Sequence, residues 1–401
     1  MKWETYKLKQ LCSEMVDCVN KTAPTSDVPT PYKMLRTSDI RDGKINLENL
    51  NCVTKEVYEK WTRRGKLQKG DVIFTREAPL GEVGLVREEK NYFLGQRLVL
   101  FRANNKMCDG RFLMYSLLWH DNKQAIISKG VGSTVAHLRV PECENIEIKV
   151  PDLDAQHRIA DILSAYDDLI ENNQRQIKLL EEAAQRLYEE WFVDLHFPGH
   201  ENTKIVDGVP EGWQWCKVRD VADINSSALP KNYKEDFIDY VDLGSVRCGH
   251  IETRTRYNLN EAPGRAKRCA KDGDIIWGMV RPNLKAYALV TNPKETDVFS
   301  TGFAVLSAKK VPYSYLYCAV TQEEFVGYLV NATNGAAYPA VKPVHFEVAD
   351  ILKPDDKVLE QFHSVADSIY RKKEALENQN YNLRESRDLI LPKLMSGEVE
   401  V

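Results

Sequence analysis

The chain is written twice, and that repeat constrains its fold more than any other feature. Trp3 opens the run WETYKLKQL, and Trp213 opens its echo, WQWCKVRDV. The correspondence continues in order. Residues 35–45 (LRTSDIRDGKI) answer residues 241–251 (VDLGSVRCGHI), and Lys69-Gly70-Asp71-Val72-Ile73-Phe74 answers Asp272-Gly273-Asp274-Ile275-Ile276-Trp277. Gly132 and Leu138 answer Gly335 and Val341, and Val150-Pro151-Asp152 answers Lys353-Pro354-Asp355. Each copy then ends in a long polar segment with apolar residues at helical spacing. A two-fold repeat within one polypeptide predicts a pseudo-dimer, with two similar heads on two similar stalks. Such an object suits a ligand that is itself bipartite.

A chain of 401 residues has room for two or three domains, each with its own core. No apolar run approaches the roughly 20 residues of a membrane span, and the opening MKWETYKLKQ lacks the apolar centre of a signal peptide. The nine cysteines are scattered, with no C-x-x-C and no zinc spacing. The expectation is a cytoplasmic protein with reduced thiols, no metal site and no membrane partner. Charge is unevenly placed. Residues 1–150 carry 25 Lys and Arg against 19 Asp and Glu, residues 151–200 carry 4 against 11, residues 201–354 carry 19 of each, and residues 355–401 carry 7 against 10. Acid therefore concentrates on the stalks while the heads are basic or neutral, a division that fits heads meeting phosphates.

Within the heads, short β-branched and aromatic runs alternate with turn residues. Residues 71–74, 84–86 and 97–101 read as strands, residues 109–123 as a helix, and residues 146–150 as a half-buried strand closed by Pro151. The second head repeats this with strands at 274–277, 286–290 and 303–306 and a helix over 313–330. In the first stalk, Ile159, Leu163, Tyr166, Ile170, Asn173, Ile177, Leu180, Ala184, Leu187 and Trp191 alternate spacings of four and three, a heptad seam with one polar member. The second stalk offers Phe362, Val365, Ile369, Leu376, Leu383, Ile390 and Leu394, interrupted by Lys372 and Gln379. Neither stripe can stay exposed, so the two are expected to bury each other. With a two-fold relating the halves, the helices must run antiparallel. The fold class is α+β: two mixed α/β heads in pseudo-two-fold repeat, separated by two long helices that pair as an antiparallel coiled coil. The expected boundaries are 1–151, 152–195 (first helix), 196–212 (linker), 213–354 and 355–401 (second helix).

The chain offers no catalytic centre to the reader. A phosphate-binding G-x-x-x-x-G-K-[ST] loop is missing, and no Asn-Pro-Pro-aromatic or Asp-Pro-Pro-aromatic tetrapeptide is present. Pro354-Asp355-Asp356-Lys357 resembles part of a nuclease carboxylate motif, but it reads better as a helix start capped by aspartate. His196 and His200 flank Pro198 and read as linker.

More specific are the phrases at the boundaries. Residues 209–215 (VPEGWQW) open the second head, residues 151–163 (PDLDAQHRIADIL) the first stalk, and residues 391–399 read LPKLMSGEV. With Gly132-Ser133-Thr134 before the last strand of head one, these resemble the specificity subunit of type I restriction–modification systems over essentially the whole chain. The resemblance implies that each head is a target-recognition domain reading one half of a split site in double-stranded DNA. It also implies that the helices are conserved spacers docking two methyltransferase subunits, with restriction subunits attached to the assembly. No cofactor is expected in this chain; S-adenosylmethionine, ATP and magnesium would belong to partner subunits. One departure is Tyr338-Pro339 in head two, where head one has Val135-Ala136.

Base edges are read by Arg, Lys, Asn, Gln, Ser and Thr, and phosphates are anchored by Lys and Arg. Around the repeated landmarks these are Lys33, Arg36, Ser38, Arg76, Lys129, Ser133, Thr134 and His137 in head one. In head two they are Arg247, Arg281, Asn283, Lys285, Asn334, Tyr338 and Lys342. The run Arg265-Ala266-Lys267-Arg268 is a further concentration of cations. Glu181, Glu182, Glu189 and Glu190 are expected on the outward face of the helix pair. A rival reading is a coiled-coil scaffold with two protein-binding heads, which the acidic stalks fit equally well.

Overall fold

The computed structural model describes residues 2–132, 136–333 and 339–401. By internal contact the chain divides into two compact units, Met1–Asn172 with Gln379–Val401, and Asn173–Asn378.

The first unit is built on a four-stranded antiparallel sheet of β1 (Cys12–Asp17), β2 (Val72–Arg76), β3 (Leu80–Leu85) and β4 (Leu98–Ala103), in the order β1-β4-β2-β3. Strand β4 pairs with β2 in the register Leu98↔Thr75 to Phe101↔Val72. Because side chains alternate along a strand, Val72, Phe74, Val99 and Phe101 enter one core with Phe112 and Leu113 of helix α1 (Gly110–Leu118). Ile73, Leu98 and Leu100 enter a second core on the other face. Both faces are covered, which is why these strands read as continuous apolar runs. The start of helix α2 (Leu153–Tyr188) closes the first core with Ile159 and Leu163, joined by Leu394 and Met395 from the end of helix α4 (Asp356–Ser396).

The second unit repeats the plan. Strands β5 (Ala222–Ile224), β6 (Ile275–Gly278), β7 (Tyr287–Leu289) and β8 (Phe303–Ala308) lie in the same order, β5-β8-β6-β7. Trp277 of β6 is fully buried, and its Nε1 donates to the Val320 carbonyl at 3.0 Å, satisfying the polar atom of a large core side chain. Helix α3 (Tyr313–Thr321) packs where α1 does in the first unit. The end of α2 and the π-helical turn that follows it (Glu189–Val193) meet the start of α4 in an aromatic cluster: the Phe362 ring lies 5.0 Å from Phe192, 5.9 Å from Trp191 and 6.3 Å from Tyr188.

The direction of the helix pair follows from these contacts. In the first unit the early part of α2 meets the end of α4, through Arg387 Nη1 and Asp167 Oδ1 at 2.6 Å. In the second unit the end of α2 meets the beginning of α4. The helices are antiparallel. Each starts on an equivalent cap: Asp152 accepts from the Ala155 N–H at 2.9 Å, and Asp355 from the Val358 N–H at 3.0 Å. Ile159, Leu163, Ile170, Asn173 and Ile177 are buried along α2, with Tyr166, Leu180 and Leu187 half-buried. Phe362 and Leu376 are buried along α4, with Ile369, Leu383 and Ile390 half-buried.

Three expectations need correction. Val365 is 46% exposed while Ala366 is fully buried, so the stripe of α4 steps four residues from Phe362 to Ala366 rather than three. Glu181 faces inward onto Lys373 and His250, whereas Glu182, Glu189 and Glu190 are exposed. Residues 109–123 and 313–330 are not single helices. Each breaks after nine residues, at Trp119 (ψ 129°) and Gln322 (ψ 149°), before a second helix begins.

Candidate nucleic-acid interface

In each head the turn after the second sheet strand meets the segment that follows the repeated glycine in sequence. In head one, His137 forms a bridge with Glu77, and the Leu138 N–H donates to the Arg76 carbonyl at 3.0 Å. In head two, Val280 forms a bridge with Ala340, the Arg281 N–H donates to the Pro339 carbonyl at 2.8 Å, and the Val341 N–H donates to the Met279 carbonyl at 2.9 Å. The turn itself has the same left-handed entry in both. Ala78 has φ 49° before Pro79, and Arg281 has φ 50° before Pro282. Positive φ is unfavourable for residues with a Cβ, and here the neighbouring loop holds it in place.

Beyond that entry the turns diverge: the Ala78–Pro79 bond is cis and β3 begins at Leu80, whereas Pro282–Leu284 form a 3-10 turn and β7 begins only at Tyr287. Ala78, Leu80, Gly81 and Glu82 of head one correspond to Arg281, Asn283, Leu284 and Lys285 of head two. Arg281, Asn283 and Leu284 are exposed. Lys285, also at positive φ (54°), pairs with Glu323. Exposed side chains on turns braced from the sheet suit a reader of base edges, since position and identity are then set by separate groups.

The sequence candidates fall into three groups. Arg76 and His137 meet at the loop pair of head one, and Lys129 is exposed at the end of the helix leading into it. Arg76 is nevertheless tied down: Nη1 donates to the Leu138 carbonyl at 3.2 Å, and Nη2 lies 3.2 Å from Asp17. Arg281, Asn283 and Lys285 meet in head two, and exposed Lys342 follows the glycine loop as the cap of a short helix. Lys33, Arg36, Ser38 and Arg247 are placed elsewhere. Lys33 donates to Cys52 Sγ at 2.9 Å within a separate small sheet. Arg36 is held by the buried Asp39 through Nε at 3.0 Å and Nη2 at 2.7 Å, and Ser38 is exposed in the same turn. Arg247 is exposed on the 246–251 hairpin. Ser133, Thr134, Asn334 and Tyr338 lie outside the described residues.

A group of buried charges went unread in the sequence. In the second unit, buried Lys373 donates to the Gly249 carbonyl at 2.8 Å and lies 3.2 Å from both Glu181 and Glu377. His250 Nδ1 is 2.7 Å from Glu377, and Nε2 is 3.4 Å from Glu181. Burial pulls the His250 pKa down, but its bonds to Glu181 and Glu377 outweigh this and raise it to about 9. In the first unit, buried Asp167 accepts from both Arg387 and the Tyr115 hydroxyl, each at 2.6 Å. The available signal was the charged run Lys372-Lys373-Glu374 inside an apolar stripe. The partners come from distant segments, so the run alone could not say which lysine turns inward. Among the described residues no group of three or more His, Cys, Asp or Glu is placed to hold a metal ion, and no helix is long and apolar enough to cross a membrane.

Comparison with known proteins agrees with this architecture. A family model described as type I restriction modification DNA specificity domain matches residues 1–182. The chain is 25% identical over 347 residues to the type I restriction enzyme MjaIX specificity subunit of Methanocaldococcus jannaschii, covering 83% of this chain and 78% of that protein. It is 24% identical over 388 residues to the MjaVIII specificity subunit of the same organism, covering 92% and 86%. Among solved structures, the type I restriction–modification S subunit from M. genitalium superposes with a TM-score of 0.61 at 16% identity, covering 98% of this chain and 96% of that one. At that identity the likeness speaks for the fold.

Proposed function

We infer that the chain is a type I restriction–modification specificity subunit and that each head reads one half of a split site in double-stranded DNA. The observation that carries this reading is the repeated pair of loops. Both heads enter this turn through a residue at positive φ, Ala78 or Arg281, and bridge it to a distant segment, Glu77 to His137 and Val280 to Ala340, while the turn that follows and the side chains displayed there differ. In head two, Arg281, Asn283 and Lys342 are the readers and anchors; in head one, His137 and Lys129 take that place, with Arg76 bracing the loop. Residues outside the described segments, Ser133, Thr134, Asn334 and Tyr338, belong to the same loops by sequence.

The chain contributes recognition and no chemistry of its own. Methyl transfer and cleavage fall to partner subunits, which bring S-adenosylmethionine, ATP and magnesium. Two methyltransferase subunits dock on the outer faces of the long helices, with restriction subunits beyond them. Exposed Leu169, Leu179, Tyr381 and Leu389 supply apolar anchors along those helices, which also carry the exposed Glu182, Glu189 and Glu190. Exposed apolar side chains grouped among charges are a feature of protein interfaces.

The test is the modified sequence written by the assembled methyltransferase. Arg281→Ala with Lys342→Ala, in the full chain with its partners, should relax or abolish one half of the methylated motif and leave the other intact. The loss of a base-edge contact costs about 1–3 kcal/mol of discrimination. An unchanged motif would reject these loops as the readers.

A further inference from the structure

A cationic run precedes the second sheet strand of each head. Residues 60–69 (KWTRRGKLQK) carry five Lys and Arg and no acid, and residues 264–271 (GRAKRCAK) carry four and no acid. Each run ends in the same turn. In head one the Asp71 carboxylate accepts from the Gln68 N–H at 2.7 Å, and the Asp71 N–H donates to the Gln68 carbonyl at 3.1 Å. In head two Asp274 makes both bonds with Lys271, at 2.9 and 3.0 Å. Gly70 (φ 90°) and Gly273 (φ 84°) supply the left-handed step, and their N–H groups donate to the Val86 and Val290 carbonyls, each at 2.9 Å. The runs therefore leave the two sheets at equivalent points, at the opposite ends of β2 and β6 from the candidate reading loops.

Upstream of that turn the local folds differ, yet both direct the cations outward. In head one the run closes the helix Lys55–Trp61. Thr62 and Leu67 are buried, and the Thr62 hydroxyl donates to the Tyr58 carbonyl at 2.8 Å. Lys60, Arg63, Arg64, Lys66 and Lys69 are exposed. In head two the strand Ala266–Arg268 pairs with Asp297–Ser300 and buries Ala266, so alternation exposes Arg265 and Lys267. Lys271 is exposed as well, and Arg268 is half-buried.

These charges are not neutralised within the chain. Among the described residues, Arg64 alone of these cations lies within 4.0 Å of a carboxylate, at that limit from Asp17, which stands closer to Arg76. Glu89 meets the run of head one at the Lys69 main-chain N–H, at 3.4 Å. Two carboxylates do not cancel the five cations of that run. Lys60 and Lys66 stand over the Trp61 and Tyr58 rings at 5.5 and 5.9 Å, contacts that leave the charge in place. Unpaired cations this close along a surface repel one another and draw anions. A polyanion relieves the repulsion along a whole run, and double-stranded DNA presents one negative charge per about 1.7 Å of its axis.

We propose that the two runs are sequence-independent phosphate anchors, holding the backbone of duplex DNA on a surface separate from the reading loops. The inference rests on the heads being DNA readers and adds the residues that set how tightly DNA is held. Contacts to phosphate position a protein on the duplex and carry no base information. The runs therefore govern affinity and its salt dependence, and the loops govern which bases are read.

The test is the salt dependence of binding by the full-length chain, measured by fluorescence anisotropy on a duplex that lacks the methylated motif. Each phosphate contact contributes about 0.9 to the slope of log K against log salt. Arg63→Gln with Arg64→Gln and Lys66→Gln should lower that slope by about 2–3, and so should Arg265→Gln with Lys267→Gln and Lys271→Gln. Arg63→Lys with Arg64→Lys should leave it unchanged. In cells, the assembled methyltransferase should write the same bases and spacer with every variant. An unchanged slope in either glutamine variant would overturn the proposal, and loss of subunit assembly alongside it would assign the runs to an acidic protein partner instead. A motif altered at any base, or a slope lost in the lysine variant, would overturn it too. If the unmodified chain bound no duplex at all, the DNA reading of the heads would fail with it. Unaffected variants of a chain that does bind duplex reject the runs alone.

Discussion

Asp167 holds two partners at once. Its carboxylate accepts from Arg387 and from the Tyr115 hydroxyl, each at 2.6 Å, and the side chain is almost fully buried. Removing one member of a buried ion pair leaves the other charge desolvated and uncompensated. Asp167→Ala should therefore destabilise the first unit by about 3 kcal/mol in urea unfolding. Asp167→Ala with Arg387→Met should recover part of that loss, since no unpaired charge remains but the buried Tyr115 hydroxyl still lacks its acceptor. His250 gives a second prediction at this scale. Its folded pKa is raised from 6.5 to about 9, so protonation favours the folded state. That contribution is fully present below about pH 6.5 and is lost as pH rises through about 9. Between pH 6.5 and 10, His250→Gln should flatten the fall in melting temperature by about 2–4 °C. An identical slope in the variant would show that the imidazole does not titrate against Glu181 and Glu377.

The long helices show which parts of such a structure a sequence can carry. Their existence, their caps and their antiparallel pairing were legible: heptad spacing, interrupted in α4 by Lys372 and Gln379, and two capping aspartates are local signals, and the two-fold repeat sets the direction. The register of α4 was not. Val365 and Ala366 are adjacent and both apolar, and the 4-3 rhythm prefers Val365; the aromatic cluster around Phe362 and the buried Tyr370 draw Ala366 inward instead. The same one-residue offset places Lys373 rather than Lys372 inside. In the heads, strands and sheet were readable from apolar runs, while the loop pair depended on main-chain bridges between segments some 60 residues apart, Glu77 with His137 and Val280 with Ala340. Arg36 shows the limit for single residues: a base-reading type at a landmark, yet its guanidinium serves Asp39. The register yields a direct test. Val365→Lys should change unfolding free energy by less than about 0.5 kcal/mol, while Ala366→Lys, which buries an unpaired ammonium, should cost about 3 kcal/mol or more. Equal effects at the two positions would refute the register.

For the whole molecule, the repeat makes recognition and spacing separable properties. The loops that present Arg281 and Asn283, or Lys129 and His137, are built on the sheets of their own heads and borrow nothing from the helix seam. The seam residues Ile159, Ile170, Asn173 and Leu376 are buried along the helices and display nothing at those loops. Replacing head one by the corresponding head of another specificity subunit should therefore rewrite one half of the methylated motif and leave the other half and the spacer unchanged. Inserting one heptad into each long helix lengthens it by about 10 Å at 1.5 Å per residue. At about 3.4 Å per base pair that is roughly three base pairs. The expected result is the same two half-sites with a longer spacer, read by sequencing modified adenines in cells carrying the assembled enzyme. Seven residues preserve the a/d rhythm, so the apolar seam stays in phase, whereas an insertion of five would rotate Asn173 and its neighbours off the interface. The five-residue insertion should accordingly abolish assembly. If the heptad insertion changed the bases read, or the head exchange altered both half-sites, the heads could not be independent readers and the proposed division of labour would fail.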